Sequence, residues 1–290
     1  MLRLSTGDAD LVLAPEVGGA IAGWRVGGRP ILRPTCVGAT GVGGTGAGDF
    51  SCFPLVPYSN RIAGGAFGFG GAQFGLRRDP DQAHSIHGVG WQRPWRVDHA
   101  GPGRAVVSLT HAPDAGWPFA FHATQAFELT QRMLAVTMTI ENRDDRAAPA
   151  GLGLHPFFPT DGHDLLRFKA GSVWRSAPDM LPTTQAAVPV AWNHSEFLPI
   201  GTAALDNCFA GWDGLVTIRG AAWTLEIEAT EPFRHLVVHT PAGQDFFCVE
   251  PVSHMNDGVN RAGVAGHGVR TLAPGEMLQG SIYFRLLNDS

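Results

Sequence analysis

Met133-Leu-Ala-Val-Thr-Met-Thr-Ile140 places an apolar side chain at every second position, and its Val, Thr and Ile are β-branched. That period belongs to a strand with one buried face, and branched residues suit a pleated surface. Immediately before it, Thr130-Gln131-Arg132 separates this run from a second alternating one, Phe119 to Leu129, which predicts an antiparallel hairpin. Behind it, Glu141-Asn-Arg-Asp-Asp145 is a polar turn that ends the strand. Working outward, the same reading gives strands over Leu11 to Leu13, Arg104 to Thr110, Leu215 to Ile218, Trp223 to Ala229, His235 to Thr240, Phe246 to Glu250 and Met277 to Leu286. No stretch sustains a 3.6-residue amphipathic period, and neither heptads nor internal repeats occur. The expected fold is therefore all-β, a large antiparallel sandwich or barrel.

Composition supports that class and excludes several functions. The chain has 290 residues, 44% of them apolar and 16% charged, enough to bury a substantial core as one domain spanning residues 1–290. Its 38 Gly and 21 Pro are scattered, so about one residue in five opposes helix. A net charge of -5 with 21 thinly spread basic residues supplies no phosphate-binding face, which argues against nucleic acid as a partner. Cys36, Cys52, Cys208 and Cys248 have neither CxxC spacing nor disulfide-scaffold density and read as reduced. With no basic-then-apolar leader and no apolar run of about 20 residues, the expectation is a soluble cytoplasmic protein with no membrane partner.

Two motifs are weak. Gly41, Gly43 and Gly46 satisfy GxGxxG within the Gly- and Ala-rich segment Val37 to Gly48, but Arg33-Pro34 precedes it and Phe53-Pro54 closes it. The dinucleotide fingerprint needs a buried strand before and a helix after, so the segment reads as a flexible loop. His84 and His87 form HxxH without a third ligand at a recognisable spacing, and no metal is expected. No GxSxG elbow occurs, so a serine nucleophile has no candidate motif.

Four segments set polar side chains in apolar or Gly/Pro-punctuated surroundings: Phe53 to Ile62, His84 to Trp91, Gly151 to Phe158, and Phe246 to His254. Glu250 closes an apolar run and precedes Pro251, so the chain is expected to leave its strand there with a carboxylate at the end. Low-polarity surroundings would raise its proton affinity to suit a general base; the plainer alternative is a structural pair with an arginine such as Arg61. His155, between Leu154 and Pro156, should likewise mark a strand end, as a hydrogen-bonded core residue or as an acid that titrates near neutrality. Gly88 and Gly90 after His87 allow a sharp turn or a close approach to a ligand. Arg61 after Asn60, and Asp206 with Asn207, could each hydrogen-bond two vicinal hydroxyls or could be ordinary turn residues. Trp91, Trp117 and Trp192 are open candidates for a platform under a sugar's apolar face.

Taken in order, these segments resemble the aldose 1-epimerase (galactose mutarotase-like) family over most of the chain. Ser59-Asn60-Arg61-Ile62 resembles the family's Asn-Arg-Ile element, and His87-Gly88 its first His-Gly. His155 is similar to its second site histidine, Leu205-Asp206-Asn207-Cys208-Phe209 to its sugar-binding aspartate segment, and Glu250-Pro251 to its catalytic glutamate. Asp114-Ala-Gly-Trp-Pro118 is a weaker match to a family turn. The resemblance implies a galactose mutarotase-like supersandwich that interconverts the anomers of a free monosaccharide without cofactor, as a monomer or homodimer. It implies Glu250 as base, His155 as acid, and His87, Arg61, Asp206 and Asn60 as sugar-binding residues. Leu154-His155-Pro156-Phe157-Phe158 departs from the Asn-His-Ser-Tyr-Phe-like sequence of the galactose branch, which leaves the sugar open. Two other readings share the fold: a hexose-6-phosphate epimerase using Arg77, Arg78 and Arg93, and a carbohydrate-binding module without turnover.

Overall fold

A strand with one apolar face must bury it against another such face, and here two large antiparallel sheets do so. The computed structural model describes residues 1–35, 47–78, 82–221 and 223–287; most of the Val37 to Gly48 segment, with its GxGxxG glycines, lies outside them. An 11-stranded sheet runs in the order Leu2–Thr6, Ala9–Ala14, Ala20–Val26, Cys52–Leu55, Gly153–Pro159, Phe246–Val252, His235–His239, Asp206–Ala210, Ser172–Ser176, Pro182–Ala186, with Arg29–Pro30 on the side of Ala20–Val26. A nine-stranded sheet runs Arg96–Gly101, Arg104–His111, Phe121–Leu129, Met133–Asn142, Met277–Leu287, Thr224–Ala229, Leu215–Arg219, Leu165–Phe168, Leu198–Pro199. The expected hairpin is present: Leu129 pairs with Leu134 and Phe121 with Asn142.

The two sheets share one core. Trp24 of the first meets Phe284 of the second at 6.2 Å, and Phe209 of the first meets Phe168 of the second at 4.9 Å. Alternation then divides the first sheet's residues between two faces. Leu154, Phe158, Phe247 and Val249 point into the shared core. Phe53, Phe157, Cys208, Val237, Cys248 and Val252 point the other way and form a second buried cluster with Phe50, Trp174 and Met255.

Two expectations are corrected. His155 and Glu250 do not sit at strand ends: the strand of His155 runs from Gly153 to Pro159, and that of Glu250 continues through Pro251 to Val252. In an antiparallel strand each residue's amide points toward only one neighbour, so a proline removes one ladder bond without stopping the strand. Pro156 still pairs with Cys52 and Pro251 with Leu236.

Phe158 is fully buried and stacks on Phe247 at 5.5 Å. Phe158→Ala should cost about 3–5 kcal/mol in urea unfolding, and a loss under about 1 kcal/mol would contradict its enclosure between the sheets.

Candidate active site

Register brings the polar residues together. Gly153 pairs with Val252 and Phe157 with Cys248, so His155 lies across from Glu250 on the adjacent strand. On its far side His155 pairs with Phe53, and beyond Glu250 the row continues through Val237 to Cys208. A second row, Asp206, His239, Cys248 and Phe157, lies two residues along the same face, about 6.6 Å away at strand spacing. Two rows at that separation span one monosaccharide ring. Glu250 Oε1 stands 3.4 Å from His155 Nε2, with the carboxylate 3% and the imidazole 12% exposed.

The His155 ring is held by aromatic stacking. Phe53 and Phe157 both stack against it, each at 4.6 Å, and lie side by side with their own centroids 6.1 Å apart. Trp91 stacks in turn on Phe53 at 5.5 Å, and the Arg33 guanidinium lies 3.9 Å from the Phe157 ring centre. Arg33 is fixed in turn by donation to the carbonyls of Gly48 and Phe50 at 3.0 and 3.1 Å.

The short ribbon of Arg61–Ile62 with Ser85–Ile86, and the turns beside it, supply Asn60, Arg61 and His87. Asn60 and His87 both have left-handed backbone, φ 55° and 63°, and lock each other: His87 N–H donates to the Asn60 carbonyl, and Asn60 N–H to His87 Nδ1. Asn60 Oδ1 accepts from the Arg61 amide at 2.9 Å and from Arg61 Nη1 at 3.2 Å, so it orients the arginine. The His87 ring then stands edge-on to His155 at 5.2 Å. Gly88 lies at φ 70°, where a Cβ would come within 2.3 Å of the Val56 carbonyl oxygen. The chain leaving the strand of Glu250 clamps the Arg61 segment from behind. His254 Nε2 accepts from Ser59 N–H, Asp257 N–H donates to the Arg61 carbonyl, and Asp257 Oδ1 accepts from Ala63 N–H. Asp206 ends the second row, 3.8 Å from His239 Nδ1.

Burial dominates the electrostatics. It pushes the Glu250 carboxyl well above its ordinary range, Asp206 adds to the rise, and Arg61 opposes it. It pulls His155 well below the usual imidazole value, with further lowering from His87 and His239. His87 falls to about 3 through burial and the charge of Arg61. Neutral imidazoles thus surround a carboxyl that holds its proton unusually tightly.

The six residues read from sequence, Glu250, His155, His87, Arg61, Asp206 and Asn60, therefore fall in one region, and four more belong with them. Phe157 is two residues from His155 and Cys248 two from Glu250, so strand periodicity alone marks both as sharing that face. His239 and Arg33 become visible only through strand pairing and ring contacts. Of the tryptophans, Trp91 borders the site through Phe53, Trp117 is core packing against Phe67, and Trp192 packs under Arg175. HxxH is divided: His84 Nδ1 accepts from Gly64 N–H and its Nε2 faces Asp179, while His87 turns to Asn60. Arg93 is engaged by Asp114 and Arg78 donates to the Ala83 carbonyl.

The buried Glu250–His155 pair lies on the face of the sandwich turned away from the shared core, and the aldose 1-epimerase profile matches residues 1–285. The chain belongs to the aldose 1-epimerase family. It is 31% identical over 295 residues to the uncharacterized protein YphB of Escherichia coli K12, covering 98% of this chain and 97% of that one. A crystal structure from E. coli K12, provisionally named an aldose 1-epimerase, superposes with a TM-score of 0.89 at 29% identity, covering 99% of this chain and 98% of its own. The galactose 1-epimerase of Lactobacillus acidophilus shares the fold, with a TM-score of 0.80 at 15% identity and coverage of 99% and 94%.

Two outcomes follow from the charges. A carboxyl whose folded-state affinity for protons exceeds its unfolded one favours the fold below the ordinary carboxylate range and loses that contribution as pH rises toward the raised value. Glu250→Gln should therefore melt higher than wild type at about pH 8, with the gap narrowing toward about pH 4; equal melting at both would show no such strain. Arg61→Ala removes the charge opposing the rise, so proton uptake by Glu250, followed by carboxyl infrared absorption, should move to higher pH. An unmoved titration would separate Arg61 from the carboxylate.

Proposed function

We propose that the protein interconverts the α and β anomers of a free aldose by opening and reclosing the hemiacetal ring. The 3.4 Å contact between Glu250 Oε1 and His155 Nε2 carries this reading. Ring opening takes the proton from O1 and gives one to the ring oxygen. Both oxygens are bonded to C1, so an acid and a base held side by side can serve both at once. The reactive form is the carboxylate–imidazolium state, reached when the Glu250 proton crosses the 3.4 Å contact to His155. Glu250 then removes the O1 proton while His155 protonates the ring oxygen, rotation about C1–C2 turns the other carbonyl face, and the two residues exchange roles to reclose the ring. The first half-reaction leaves the proton on Glu250 that the second returns.

Around this pair, Arg61, His87 and Asp206 hydrogen-bond the sugar hydroxyls, and Asn60 acts through Arg61, whose guanidinium it orients. Membership of the family and the fold shared with the galactose 1-epimerase support a sugar substrate.

Each acid–base partner contributes about 10²- to 10⁴-fold in rate. Glu250→Gln and His155→Asn should each slow mutarotation of a freshly dissolved aldose by at least about a hundredfold, followed by polarimetry across galactose, glucose, arabinose, xylose and fucose. Arg61→Ala should act mainly on KM. Folded Glu250 and His155 variants with near wild-type rates would remove the pair from the chemistry.

A further inference from the structure

One feature of the site is not needed for proton transfer: a fully buried thiol beside the Glu250–His155 pair. Cys248 is two residues before Glu250 on the same face of the same strand, and His155 approaches from the neighbouring strand. One donor atom each from His155, Cys248 and Glu250 lie within 4.8 Å of one another. Glu250 Oε2 and His155 Nδ1 are buried without a hydrogen-bond partner, so the cluster has unused ligand capacity. We propose that, without sugar, this cluster binds one thiophilic divalent cation, zinc(II) above all, through a ring nitrogen of His155, Cys248 Sγ and a carboxylate oxygen of Glu250.

Donor type, charge and size agree with this assignment. Imidazole, thiolate and carboxylate are the three ligand types of zinc, at about 2.0–2.3 Å, whereas magnesium(II) requires oxygen. Tetrahedral bonds of that length set ligand atoms roughly 3.5 Å apart, so the cluster closes by small rotations of side chains. One thiolate and one carboxylate neutralise the dication; the thiol proton, and the carboxyl proton where present, leave to the buffer as the metal–sulfur and metal–oxygen bonds form. Three protein ligands leave a fourth position, on the side of His239, which pairs with Cys248 and whose Nδ1 is also buried without a partner. A cation seated there occupies the lone pairs of both acid–base residues, so it would inhibit. That consequence rests on the proposed mutarotase reading; the binding itself does not.

Isothermal titration of metal-free protein with zinc chloride should show one tight site that Cys248→Ala weakens by at least about tenfold, with magnesium inert. Cobalt(II) should give a near-ultraviolet thiolate charge-transfer band in wild type that both Cys248→Ala and Cys248→Ser lack, each variant first shown to melt cooperatively. Zinc should also inhibit wild-type mutarotation competitively with sugar while Cys248→Ala resists. Unchanged zinc affinity in a folded Cys248→Ala, or a cobalt complex without the thiolate band, overturns the proposal. Metal titration needs no turnover, so a protein inactive on every aldose yet binding zinc through Cys248 would refute the mutarotase reading alone.

Discussion

Placing the Glu250 carboxyl beside His155 with almost no access to water is the costly interaction to which the rest of the structure is fitted. Between the sheets no ligand could reach such a pair, and at an exposed edge water would restore ordinary proton affinities. The fold resolves this by using the two faces of the 11-stranded sheet differently. One face packs against the nine-stranded sheet; the other carries the polar pair within a smaller apolar cluster and is walled by loops. The large shared core offsets the desolvation of the pair.

Rigidity is divided in the same way. Glu250, His155 and Asp206 project from paired strands of the large sheet, where register sets their separation, while Arg61 comes from a two-residue strand flanked by the left-handed residues Asn60 and His87. Those turns are not independent of the strands. Residues 254–257, which follow Glu250 in the chain, bind the segment around Arg61 at Ser59, Arg61 and Ala63. The guanidinium and the carboxyl whose charge it balances are thus tied together through a short stretch of backbone, and the Asn60–His87 lock carries the tie across to the second loop.

Strands with clean alternation, such as Met133–Asn142 and Met277–Leu287, were legible because one face meets the core and the other meets solvent. Gly153–Pro159 and Cys52–Leu55 were not legible as strands: both faces are buried, so alternation disappears, and their prolines suggest termination. The same double burial misplaced Glu250 and His155 at strand ends. The site residues themselves were legible as polar groups in apolar surroundings, since a buried charge needs a partner or a task. Their mutual geometry was not, because the pairing of residue 155 with residue 250 is a long-range register that local sequence does not encode. Arg33 stayed hidden for a related reason: its role comes from stacking on Phe157, more than a hundred residues away.

His155 is oriented in an uncommon way, and the proposed chemistry gives that a physical meaning. A histidine held by a hydrogen bond at Nδ1 is fixed in one tautomer. Here Nδ1 has no partner, and the ring is positioned by the π faces of Phe53 and Phe157. Stacking restricts the plane of the ring without favouring either nitrogen as the proton carrier, and aromatic faces also stabilise an imidazolium when it forms. A residue that must give a proton to the ring oxygen and then take one back on reclosure needs such freedom. Burial, with the charges of His87, His239 and Arg33 adding to it, keeps the resting ring neutral. Holding His155 by ring stacking thus separates position from protonation, which the proposed reversible acid–base role requires.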